Sequence, residues 1–182
     1  MMSTQPVTNK TSLWLIIFAS LCGICGLCII ISYASDAMSS VQTSLLPPEA
    51  QFEKTIEKTL GESNRNVKRL SELQYNATNG QLIIKWALND NLSTGLVKRG
   101  AMLDISNVLK YISQNDVPYP YQQVSFYGSF PLVDAFGNSS EQQVVVAYYS
   151  KNTIEKIQWD NFITDNIFII ADSVTLHPAI DQ

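Results

Sequence analysis

The chain has 182 residues, with 12 Lys and Arg against 16 Asp and Glu, a formal charge of −4 and an isoelectric point near 4.9. That length bounds it to one modest domain, and the acidic balance excludes nucleic acid as the main partner, because phosphate binding needs clustered cations. Hydrophobic residues make up 46% and charged residues only 15%; a soluble protein averages roughly 25% charged, so part of this chain belongs in an apolar medium.

That part is near the N-terminus. Residues 11–35 contain no charged side chain, and residues 13–31 (LWLIIFASLCGICGLCIII) are almost continuously apolar. As a helix this stretch spans roughly 28 Å, close to the hydrocarbon core of a bilayer. Lys10 is the only basic side chain before it, and no Lys or Arg follows until Lys54. The asymmetry orients the N-terminus to the cytoplasm, and Trp14 and Tyr33 suit the two membrane interfaces. The expected layout is a cytoplasmic N-terminus (residues 1–12), a transmembrane helix (13–34), a linker (35–46) and an extracytoplasmic domain (47–182) in a single-pass plasma-membrane protein. The alternative is a signal peptide cleaved after Ala34, with Ser32 and Ala34 as the small residues before the cut. An apolar core longer than the usual span of about 7 to 15 residues favours the uncleaved anchor. Leu21, Ile24 and Leu27 precede the three cysteines where a lipoprotein signal needs a small residue, and the acidic residue of a prepilin-type start is missing.

Cys22, Cys25 and Cys28 all fall in this segment, with no His or carboxylate nearby to complete a metal shell. Ala19, Gly23 and Gly26 form a smooth stripe on which a second helix could pack, giving a helix-mediated oligomer or a complex subunit; the competing reading is plain lipid-facing surface. The exported part has no cysteine, so its stability must come from its core.

Pro47-Pro48 ends a Ser-rich linker and starts a helix over residues 48–60, with Phe52, Ile56 and Leu60 at four-residue spacing and Gly61 as the stop. Alternation of Leu82, Ile84, Trp86 and Leu88 after Asn79-Gly80 predicts a strand following a turn, paired with residues 67–75. Val97, Ala101, Ile105, Val108, Leu109 and Ile112 form a helical stripe with Asn91, Ser93 or Thr94 as cap. Residues 122–133 and 141–149 read as a second hairpin around the turn 134–140 (DAFGNSS). Ser150 and Asn152 suit the cap of a short helix reaching Ile157, and the last stretch is an apolar run without a clear period. The expected fold is α+β, an antiparallel sheet with helices on one face and a helix-strand-strand order that occurs twice.

Candidate chemistry is sparse. His177 is the only histidine and no exported Cys exists, which excludes a cysteine nucleophile and His/Cys zinc sites; a serine triad of His177 with Asp172 stays formally open, but no GxSxG elbow appears. Asp134, Asn138 and Glu141 could offer oxygen ligands to Ca²⁺, but they lack EF-hand spacing, and Asp and Asn are ordinary turn formers. Arg65, Lys68 and Arg69 are the densest basic group, suited to a solvated face or to anionic lipid. Asp160, Asp165 and Asp172 lie near Trp159 and Phe162, a mixture that suits carbohydrate; hydrolysis would need two carboxyls about 5 to 10 Å apart across a cleft. Residues 36–110 hold nine basic and eight acidic side chains, whereas residues 111–182 hold two and eight. The acidic half also contains Tyr119 and Tyr121 beside prolines, candidates for a partner surface. Sequons at Asn9, Asn76, Asn91 and Asn138 matter only in a glycosylating host.

Residues 86–91 (WALNDN), 95–105 (GLVKRGAMLDI), 128–138 (GSFPLVDAFGN), 157–162 (IQWDNF) and 170–178 (IADSVTLHP) together resemble a domain of uncharacterised membrane-anchored proteins of Gram-positive bacteria. The resemblance implies a surface location and brings no catalytic residues. The reading is therefore a membrane-anchored, extracytoplasmic binding or scaffolding protein, non-catalytic and without cofactor, whose partners are the lipid bilayer and a surface protein or cell-wall polymer. The alternatives are a tethered or secreted enzyme acting on cell-wall carbohydrate through carboxylates, and a subunit assembled through the membrane helix.

Overall fold

The computed structural model describes residues 46–181, which form one compact unit from Pro48 onward. The expected membrane helix, the Ala19/Gly23/Gly26 stripe, the three cysteines and nearly all of the linker lie outside the described residues. Among the described residues, no helix is long and apolar enough to cross a membrane.

Helix α1 (Pro48–Leu60) starts on Pro48, whose fixed φ suits a first helical position, and buries Phe52, Ile56 and Leu60. It ends at Gly61, where φ is +76° and the N–H donates to the Glu57 carbonyl, a left-handed cap that glycine adopts without strain. Strands β1 (Leu70–Asn76) and β2 (Gln81–Ala87) form the first hairpin. Its turn closes on Gly80 at φ +66°, with the Asn79 side chain accepting from the Gln81 N–H.

Helix α2 (Thr94–Gln114) is capped by Ser93, whose hydroxyl accepts from the Leu96 N–H at 3.3 Å. It buries Val97, Ala101, Ile105, Val108, Leu109 and Ile112, the stripe expected from the sequence. Strands β3 (Gln123–Val133) and β4 (Ser139–Ser150) make the second, longer hairpin, whose turn is held by Asp134 accepting from the N–H groups of Phe136 and Asn138. Ser150 caps the short α3 (Lys151–Glu155). A 3-10 turn (Thr164–Asn166) follows, and β5 (Ser173–Leu176) adds along β4. The unassigned apolar run thus splits: Ile167 and Phe168 are buried, and β5 is a short edge strand.

The fold is α+β with a five-stranded sheet in the order β1-β2-β3-β4-β5. The helix-strand-strand order does occur twice, but the sheet is mixed, not wholly antiparallel. Strands β2 and β3 run parallel, from Gln81 opposite Gln123 to Ala87 opposite Ser129. Each hairpin reverses direction through a short turn, whereas the chain between β2 and β3 travels back along the 21 residues of α2 before re-entering the sheet. Such a return forces a parallel pair. The period of α2 reveals which face it buries but not where the chain comes back.

One sheet face meets the helices in a single core: Leu82, Ile84, Trp86, Val124, Phe126, Val145, Ala147 and Tyr149 pack with the apolar stripes of α1 and α2. Trp86 and Tyr149 each meet the Phe126 ring edge-on, with centroids 5.9 Å apart. The opposite face presents Ile83, Lys85, Tyr127, Val146 and Tyr148, all half-exposed apart from the fully buried Ser125 between them.

Candidate functional site

The segment between α2 and β3 (VPYPYQ) crosses one end of the core. Pro118 and Pro120 fix their own φ and hold the preceding residues extended, so the chain cannot continue the helix. The Tyr121 N–H turns back to the Tyr119 carbonyl at 2.8 Å, and the Tyr75 hydroxyl donates to the Pro120 carbonyl at 3.2 Å. Tyr119 is clamped: it stacks on Tyr75 at 5.1 Å and meets Phe52 edge-on at 5.8 Å. Tyr121 is buried.

These tyrosines line a cavity of about 540 Å³. Its walls are the C-terminal turn of α2 with Asn115 and Asp116, the Tyr119–Tyr121 segment, one side of α3 and Trp159. The Lys151 N–H donates to the Gln122 carbonyl at 2.8 Å, which fixes α3 against the tyrosine segment. The Lys151 ammonium lies 5.9 Å from the Tyr121 ring centroid and 3.9 Å from the Glu155 carboxylate. Burial, followed by Glu155, pushes the Tyr121 hydroxyl above its ordinary pKa; burial, followed by Glu49 and Glu53, does the same to Tyr119.

Trp159 lies in the loop after α3, its ring 5.5 Å from that of Phe162. Its indole N–H is buried and has no hydrogen-bond partner. An orphaned buried donor of this kind costs roughly 1–3 kcal/mol, so its retention calls for an explanation. Phe162 lines a second cavity of about 490 Å³, with Lys156, Gln158 and Asn161, that shares Ile157 with the first.

The structure therefore brings Trp159 together with Tyr119 and Tyr121, which stand about forty residues away in the sequence. It does not gather the three aspartates. Asp172 is engaged at the start of α3, accepting from the Ser150 N–H at 2.5 Å, the Thr153 hydroxyl at 2.9 Å and the Ser150 hydroxyl at 3.3 Å. Partial burial works to raise its pKa, but these hydrogen bonds outweigh it and hold the carboxyl below the ordinary aspartate value. Asp165 is exposed, 3.7 Å from Arg99, and Asp160 is exposed. None of the three is among the residues lining either cavity. His177 is exposed, its Nδ1 accepting from the Ala179 N–H in the terminal turn. Among the described residues, no group of three His, Cys, Asp or Glu side chains is arranged to hold a metal.

Sequence reasoning missed Lys151, Glu155 and Asp116 as cavity walls. The four-residue spacing of Lys151 and Glu155 places both on one side of α3, but nothing local reveals that this side meets Tyr121. No protein-family model, curated protein or solved structure matches the chain, so the site is read from its own geometry.

Proposed function

We propose that this is a membrane-anchored protein whose apolar N-terminal segment tethers an extracytoplasmic, non-catalytic binding domain at the cell surface, and that the cavity walled by Tyr119, Tyr121 and Trp159 takes its ligand. The observation that carries this reading is the convergence of three aromatic side chains, with Asp116, Lys151 and Glu155, on one open cavity. A cavity of this size, with a few polar groups among aromatic faces, is the usual form of a small-ligand or side-chain site. The non-catalytic part is supported by the engagement of Asp172 with Ser150 and Thr153 at the start of α3 and of Asp165 with Arg99. The anchor rests on the apolar run of residues 13–31 and the basic residue that precedes it.

The test is a crosslinked pull-down from membranes of the full-length chain, compared with the full-length Trp159→Ala and Glu155→Gln variants, each checked by circular dichroism for retained fold. Loss of the same bound component in both variants is the expected result. Retention of every component by both folded variants overturns the cavity as the binding site. Protease protection of the domain in right-side-out vesicles, with digestion only after lysis, would overturn the extracytoplasmic placement.

A further inference from the structure

Resting on the reading of this cavity as a ligand site, we propose that its ligand is the cationic side chain of a partner polypeptide: a lysine or arginine whose aliphatic stem lies on the aromatic wall and whose charge is held by Glu155 and Asp116.

Tyr119, Tyr121 and Trp159 line the cavity, and aromatic rings attract a cation through their quadrupoles. Asp116 and Glu155 line the same cavity, against Lys151 as its single basic residue. The C-terminal turn of the 21-residue α2 forms one wall and contains no basic residue, so the negative end of its dipole faces the cavity uncompensated by its own side chains. An anionic ligand would meet two carboxylates and this helix end, and a neutral ligand would make no use of the field. The protein already shows the arrangement once: Lys151 sits over the Tyr121 ring and beside Glu155. Burial first, and Glu155 second, raise the Tyr121 hydroxyl above its ordinary pKa, so Glu155 acts on this ring.

The experiment follows the Trp159 indole 15N–1H resonance of the full-length chain in a non-ionic polyoxyethylene detergent. The probes are a blocked pentapeptide Gly-Gly-Lys-Gly-Gly, its norleucine and glutamate counterparts, and a neutral chitin tetrasaccharide. Saturable displacement of the Trp159 signal by the lysine peptide, at least tenfold stronger than by the norleucine peptide, is expected. Glu155→Gln should weaken lysine-peptide binding about five- to tenfold, and Lys151→Gln, which removes the resident competitor, should strengthen it severalfold. Equal binding of the norleucine and lysine peptides, tighter binding of the glutamate peptide, or weaker lysine-peptide binding by Lys151→Gln overturns the cationic assignment. Displacement by the tetrasaccharide alone overturns that assignment and leaves the cavity standing as a binding site. No displacement of Trp159 by any probe overturns both.

Discussion

Arg69, at the residue before β1, reaches across to Asp104 in the middle of α2, and the pair is almost closed off from solvent, with side-chain exposures of 4% and 15%. The Asp104 carboxylate also accepts from the Trp86 indole N–H at 3.0 Å, and the Arg69 Nε donates to the Ala87 carbonyl at 2.7 Å. Burial pushes the Asp104 carboxyl up, while Arg69 and the Trp86 N–H pull it back. The network ties both strands of the first hairpin to α2. Asp104→Ala would leave a guanidinium buried without its counter-charge, and should cost about 3–5 kcal/mol. Urea unfolding measures this; a loss below about 1 kcal/mol would show that water enters and solvates Arg69.

Gly128 sits opposite Trp86 on β3, where the tool of the core is steric. A Cβ added there would lie 2.6 Å from the Leu88 Cδ1 and 3.0 and 3.1 Å from two atoms of the Trp86 ring. The Leu88 methyl can rotate away. The indole cannot, because its N–H is bonded to Asp104 and its ring meets Phe126. Gly128→Ala should therefore destabilise by about 1–3 kcal/mol through overpacking, with a change in tryptophan fluorescence. An unchanged unfolding midpoint would mean that β3 shifts at no cost.

These two sites also mark what the sequence discloses. The stripe Val97, Ala101, Ile105 and the alternation Leu82, Ile84, Trp86 were legible because burial imposes the period of the element itself. Asp104 occupies a neighbouring position of the same helix, and its partner Arg69 reads locally as one of a surface basic group; only the packing of α2 on the sheet brings them together. The parallel pairing of β2 with β3 and the short β5 were hidden for the same reason, since both depend on where a distant segment lands. The candidate site follows this rule: the prolines around Tyr119 and Tyr121 and the aromatics near Trp159 were visible as separate features, and their meeting in one cavity required the tertiary fold.

Glu141 on β4 makes a two-pronged contact with Arg65, both N···O distances being 3.1 Å, and accepts from the Ser129 hydroxyl at 2.7 Å. The Arg65 hydrogen bonds come first in holding its pKa below the ordinary 4.5, with burial opposing and Ser129 assisting. Between 4.5 and the lowered native value the unfolded chain binds more protons, so the stabilisation is present above this window and fades as pH falls through it. The carboxylate is half-exposed, which limits the contribution to about 1 kcal/mol or less. Glu141→Gln should lower stability at neutral pH and flatten the acid limb, so that the two curves of unfolding free energy against pH converge in acid. Parallel curves would show that Glu141 plays no part in the acid response.

Asp172 governs the cavity from outside it. By accepting from the Ser150 N–H and the Thr153 hydroxyl, it joins the residue before β5 to the start of α3, and α3 supplies Lys151, Ile154 and Glu155 to the cavity wall. Ser150 itself caps the helix through its hydroxyl, which accepts from the Thr153 N–H at 3.2 Å. Removing the carboxylate with Asp172→Ala leaves that cap intact but unanchored, and should cost about 1 kcal/mol, the net scale of a lost hydrogen bond. The same change should speed amide exchange in α3 and weaken lysine-peptide binding without altering the chemistry of the wall. Asp172→Asn, which keeps one acceptor oxygen, should recover most of both. If Asp172→Ala abolished binding while exchange in α3 stayed at the wild-type rate, Asp172 would have to touch the ligand itself, and its role as a positioning residue would be wrong.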